Sequence, residues 1–144
     1  MSCASGWLYF CAVDGKSVVD QEPYRIALPS LDRDWADLQG FMNSVRSALG
    51  DLGAARIGFL LPEMVYKANY SQLGDRAACE VLVRAIAADM HIPFERLKRP
   101  TFRSKLKKIG ISPLPGGDIL PKSGLYWREG RELAALAARA VTGI

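Results

Sequence analysis

The residues in this chain best suited to chemistry are three carboxylates and a run of cations. Glu63 follows Arg56–Leu61 (Arg-Ile-Gly-Phe-Leu-Leu), a continuous apolar run bounded by turns that reads as a strand buried on both faces. Sites in open α/β sheets gather at the carboxyl ends of strands. A carboxylate fixed there suits Mg2+, which takes oxygen ligands and keeps several of its waters. The plainer alternative is a strand-end Glu with no role. Glu129 and Glu132 form an E-x-x-E pair, and i, i+3 spacing puts both carboxylates on one face of a helix. The plainer alternative here is an acidic first turn favoured by the helix dipole. Asp75 and Glu80 fall on different sides of their helix and are weaker candidates.

The cations are Arg96, Lys98, Arg99, Arg103, Lys105, Lys107 and Lys108, with no acid between the first and the last. The net charge is only +4, so this block concentrates it. Such a block suits a polyanion such as nucleic acid, held through its backbone. A solvated helix face is the competing reading. Lys67 lies in a polar loop with Tyr66, Asn69 and Tyr70. Tyr66, Tyr70 and Trp127 are residues that can stack on exposed bases, or simply pack. Cys3, Cys11 and Cys79 form no CxxC pair, and with His91 as the sole histidine no zinc set can be assembled. The cysteines read as small buried hydrophobes, and His91 as a helix-end residue.

Several elements must position these groups. Trp7–Val13 and then Ser17–Asp20 with Tyr24–Leu28 form two apolar runs separated at Asp14-Gly15, a hairpin signal. Glu22-Pro23 predicts an irregularity in the second strand. Trp35, Leu38, Phe41, Met42, Val45 and Leu49 recur every three or four residues and predict a helix over about 33–49, closed by Gly50 and Gly53. After the strand at 56–61 and the loop at 64–72, an Ala-rich helix is predicted over about 73–90. His91-Ile92-Pro93 breaks it, and Phe94–Leu97 is a short strand. Thr101–Lys108 reads as a basic helix capped by Thr101, Ile109–Ser123 as a loop, and about 126–141 as a final helix with Leu133, Leu136, Ala137 and Ala140 inward. Strand, strand, helix, strand, helix, strand, helix, helix implies an α/β fold: a mixed sheet with an N-terminal antiparallel hairpin and helices on both faces.

With 144 residues, 49% of them hydrophobic, the chain suffices for one domain (1–144) with a buried core. No apolar run reaches the roughly 18–20 residues that span a bilayer, and 1–16 lack a signal peptide's basic start. The scattered cysteines suit a reduced, cytoplasmic setting.

From about Ala4 onward the chain resembles RuvC-type Holliday-junction resolvases and the wider ribonuclease-H-like superfamily. Ser5-Gly6-Trp7 is similar to the Ser/Thr-Gly-aromatic start of the family's second strand. Glu63-Met64-Val65-Tyr66 resembles the end of its fourth strand, a catalytic Glu with an apolar and aromatic tail. Asn69-Tyr70-Ser71-Gln72-Leu73-Gly74, running into Ala77, resembles the loop and helix that follow. The basic segment with Lys105 and the late pair Glu129/Glu132, where the family more often has Asp, complete the pattern. The resemblance implies Glu63, Glu129 and Glu132 as catalytic residues, Glu63 and Glu132 as Mg2+ ligands, and a phosphodiesterase acting on nucleic acid with two metal ions.

One departure bears on this expectation. The family opens with a central strand ending in Asp, lying between the hairpin and the strand that here is 56–61. Only Met1–Ala4 precede Ser5, so that strand and its Asp are expected to be absent, and cleavage to be weak or nil. Asp14 and Asp20 lie on the hairpin, at its wrong end. The strand is expected upstream in the reading frame, or the hairpin shifts to pair with 56–61, or a partner chain, a second copy included, supplies it. A non-catalytic nucleic-acid-binding domain or a protein-interaction module built on the same fold is the alternative function.

Overall fold

In a computed structural model, which describes residues 1–30, 34–63, 69–112 and 119–144, the chain forms a mixed α/β fold. The strands are β1 (Ser2–Ala4), β2 (Trp7–Tyr9), β3 (Ala12–Asp14), β4 (Ser17–Val19), β5 (Arg25–Ala27), β6 (Ile57–Leu60) and β7 (Phe94–Leu97). The helices are α1 (Trp35–Asp51), α2 (Tyr70–Asp89), α3 (Arg99–Lys108) and α4 (Glu132–Thr142). Five strands make one sheet in the order β5-β2-β1-β6-β7, while β3 and β4 pair apart from it.

The expectation that no strand precedes Ser5 is corrected. Ser2–Ala4 is a strand, and it lies at the centre of the sheet. It runs antiparallel to β2 (Ser2 opposite Tyr9, Ala4 opposite Trp7) and parallel to β6 (Ser2 beside Leu60). Three residues suffice because both neighbours hold them, and because Met1 extends the ladder: Leu60 N–H donates to Met1 O at 3.0 Å and the Met1 amine donates to Gly58 O at 2.7 Å. A cavity of about 470 Å³ is lined by Met1, Phe10–Val13, Ala54–Gly58 and Val141 among others.

Burial lowers the pKa of the Met1 amine to about 6. The folded amine therefore binds fewer protons than the unfolded one between pH 6 and 8. Stability should rise across that window, by on the order of 2–3 kcal/mol, and level off above it. Urea unfolding at pH 6 and pH 8 measures this. A slope that persists after acetylation of the amine would assign the effect elsewhere.

The hairpin turns where predicted, with Asp14 opposite Ser17. Each long run, however, breaks in two. β2 ends at Tyr9 and β3 starts at Ala12; residues 20–24, with a cis Glu22-Pro23 bond, separate β4 from β5. Helices cover both faces. Alternation along β1, β2 and β6 sends Cys3, Leu8, Ile57 and Phe59 to the side packed by α1 (Phe41, Val45, Ala48) and α2 (Cys79, Val83, Ile86). Leu60 and Leu97 meet α3 (Phe102, Leu106) and α4 (Leu136, Ala137, Ala140) on the other. The cysteine reading holds for Cys3 and Cys79, both buried with sulfurs 3.9 Å apart; Cys11 is half-buried. His91 follows the end of α2 in the left-handed conformation (φ 55°), as a helix-end residue does.

α2 begins three residues earlier than predicted because Asn69 and Gln72 form a capping box. α3 is preceded by Lys98, which makes no side-chain cap; Thr101 is inside the helix, whose first turn carries Pro100. The final helix does not run unbroken from 126. Trp127–Arg131 forms a wide turn interrupted at non-helical Gly130, and α4 starts at Glu132. A Cβ on Gly130 would lie 2.3 Å from the Tyr9 ring, so close approach to β2 forces the break.

Candidate nucleic-acid interface

α4 starts over Tyr9 and Ser2, whose hydroxyl donates to Gly130 O at 2.9 Å, and ends over Gly58 and Arg56. It therefore runs back along β6, and its first turn lies toward the carboxyl end of that strand. Glu63 follows the same strand end.

The three carboxylates are held apart in function by what each touches. Glu63 is exposed, with Oε1 3.8 Å from Nη1 of Arg99. That guanidinium is itself half-buried, and its Nε donates to Leu61 O at 3.0 Å, so Arg99 fastens the strand end to α3. Burial lowers the Arg99 pKa, Glu63 raises it and Arg103 lowers it further. Glu129 is exposed and lies before the break at Gly130, so the pair at 129 and 132 does not share one continuous helical face. Glu132 accepts the backbone N–H groups of Ile119 and Leu120 on one oxygen, at 2.7 and 2.6 Å. Its carboxylate closes the loop into α4, a use invisible in the sequence because the donors lie 12 and 13 residues upstream. Among the described residues no three or more His, Cys, Asp or Glu side chains gather as a metal site. With Glu132 taken by amides and Glu63 facing Arg99, these residues do not fit a Mg2+ pair.

The basic block divides. Arg96 is paired with Glu80, Lys105 with Glu95 at 2.7 Å, and Arg99 is turned inward. Lys98, Arg103, Lys107 and Lys108 are exposed, and no ion pair engages them among the described residues. The last three lie on α3, which buries Phe102 and Leu106, four apart, and Lys98 directly precedes it. Residues 98–108 rise by about 15 Å along this face. Lys67 and Tyr66 lie outside the described residues. Tyr70 is 88% exposed, whereas Trp127 is 1% exposed. Of the two readings open for Trp127, packing and stacking on bases, its burial in the turn before α4 fits packing.

A second group was not anticipated. The Arg25 guanidinium lies 3.8 Å from the Trp7 ring centroid and 3.9 Å from that of Tyr126. Arg131, fully buried, stacks 4.2 Å over Tyr24 and donates through Nη1 to Ser123 O (3.2 Å) and Leu125 O (2.7 Å). Its Nη2 lies 3.5 Å from Asp20, and its Nε has no hydrogen-bond partner among the described residues. The usable sequence signal was thin: an Arg on an edge strand beside aromatic-rich runs.

No protein-family model, curated protein or solved structure matches the chain. Among the described residues no helix is long and apolar enough to cross a membrane.

Proposed function

We propose that this chain is a nucleic-acid-binding domain of ribonuclease-H-like type that grips the phosphate backbone through α3. The reading rests above all on four exposed cations, Arg103, Lys107 and Lys108 on α3 and Lys98 directly before it, unpaired among the described residues. The sheet order supports the fold part: a central first strand lies between an antiparallel partner and β6, where the resemblance puts it. β1 carries no acid, and Glu132 serves a loop, so binding without cleavage suits these residues better than phosphodiester hydrolysis.

Anisotropy titrations with labelled single-stranded, duplex and branched DNA test this. If four phosphates are neutralised, the duplex affinity should fall about 100-fold between 50 and 200 mM salt, from a slope near −0.9 per contact. Reversing Arg103, Lys107 and Lys108 to Glu should remove binding across all three forms alike. Unchanged affinity in that variant would sink the proposal. So would Mg2+-dependent cleavage by the chain that disappears in Glu63→Gln, which would return the chain to the nucleases.

A further inference from the structure

The Arg25 guanidinium is held between two aromatic rings. Its Cζ lies 3.8 Å from the Trp7 ring centroid and 3.9 Å from that of Tyr126. Among the described residues it makes no hydrogen bond or ion pair. A planar guanidinium keeps its five N–H donors in the plane, so stacking leaves all of them available and fixes the direction in which they point.

The clamp is built from several independent constraints. Arg25 lies opposite Tyr9 on the neighbouring strand, and Trp7 is two residues from Tyr9, so all three project on the same side of the sheet. Tyr126 reaches over from the loop before α4. It does so in the left-handed conformation (φ 57°, ψ 22°), a strained state for a tyrosine that persists only where its surroundings impose it. They do so through Arg131, which holds the carbonyls of Ser123 and Leu125 on the residues just before Tyr126. Gly124 between them has φ 71°, and a Cβ there would lie 2.8 Å from Arg131 Nη1 and 2.9 Å from Asp20 Oδ1. The buried arginine thus shapes the loop, the loop delivers the Tyr126 ring, and the ring immobilises Arg25. Packing alone has little use for a cation between two rings with an open edge; an anion does.

We infer that Arg25 is a preorganised fork for a phosphate oxyanion, held bidentately by the edge donors that Trp7 and Tyr126 leave free. Ordering a long side chain before the ligand arrives lowers the entropy cost of binding, and paired N–H donors suit two phosphate oxygens. Resting on the nucleic-acid reading above, the ligand is a backbone phosphodiester. β5 and β7 are the two edges of the sheet, four strand spacings or about 19 Å apart. The fork on β5 and the cations on α3, which follows β7, lie on the same helix-covered side. A bound strand would cross the start of α4 between them.

The Nε–H resonance of Arg25 in the full chain reports the fork directly. Adding pyrophosphate should move it, and adding a single-stranded oligonucleotide should move it at lower concentration. Arg25→Lys keeps the charge but not the fork; it should weaken oligonucleotide binding about tenfold while leaving the salt slope, which counts neutralised phosphates, unchanged, with an unchanged melting temperature. If neither ligand shifts the Arg25 signal, the inference is wrong, whatever α3 does. If the α3 charge reversal leaves oligonucleotide binding intact while Arg25 still responds, the fork stands and the α3 reading falls. A loss in Arg25→Lys matched by an equal loss of thermal stability would make the residue structural and overturn the fork.

Discussion

Gly58→Val should leave the chain unable to fold, and Gly58→Ala should lower its melting temperature by about 4–10 °C. Gly58 lies in β6 where α4 crosses it. A Cβ there would be 2.5 Å from Ala137 O, 3.0 Å from Ala137 C and 2.9 Å from Val141 Cγ1. Two of those atoms are helix backbone, which cannot swing aside as a side-chain tip can. α4 touches the sheet through Ala134, Ala137 and Ala140, all buried, so helix and strand already meet without spacing side chains. Relief therefore requires the whole helix to lift, exposing its own Leu136 and the Leu60, Leu97, Phe102 and Leu106 side chains clustered with it. Overpacking of this kind costs about 3 kcal/mol even for one methyl. The opposing gain, less entropy in the unfolded chain once glycine is replaced, is only about 0.4–1 kcal/mol. At about 2–4 °C per kcal/mol for a chain of this size, the clash decides the outcome. Thermal unfolding followed by circular dichroism measures it; a shift within 1 °C would mean that α4 rides higher on β6 than the structure places it.

The elements legible in the sequence were those whose pattern outlasts local noise. Phe41, Val45 and Leu49 repeat over about two turns and gave α1 its buried side. The run at Ile57–Leu60 is apolar at every position because helices cover both faces of β6, and it was read as such. The elements missed were short or decided at long range. Ser2–Ala4 is too brief to show a period of two, and its place comes from partners 7 and 58 residues away along the chain. Gly130 looks like a tolerated glycine in a helical pattern until the Tyr9 ring, 121 positions earlier, is set against it. The same holds for the site. The cations of α3 could be seen because they adjoin one another, but which are free could not, since Glu80 and Glu95 select Arg96 and Lys105 by tertiary position. Arg25 and Arg131 were passed over because an isolated arginine reads as surface.

Arg131→Met should cost about 3–5 kcal/mol, while Asp20→Asn should cost under about 1. Both residues belong to one contact, so the contrast depends on which part of it carries the energy. The Arg131–Asp20 separation is 3.5 Å and the Asp20 side chain is 56% exposed. An ion pair that loose and that wet is worth little. The other partners of Arg131 are carbonyls in the loop, Ser123 O and Leu125 O, both reached by the same Nη1. Methionine fills much of the arginine volume but donates nothing, leaving each carbonyl short of its donor at about 1–3 kcal/mol where water cannot replace it. It also gives up the stack on Tyr24. Arg131→Lys should restore part of the loss, because an ammonium at the Nη1 position donates to both carbonyls but gives up the planar stack on Tyr24. Urea titrations of the three variants decide the matter. An Asp20→Asn loss as large as that of Arg131→Met would make the charge pair, not the carbonyls, the anchor of the loop. If instead the carbonyls are the anchor, Arg131→Met should also release Tyr126 from its left-handed backbone, so that Arg25 loses one wall of its clamp through a residue it does not touch.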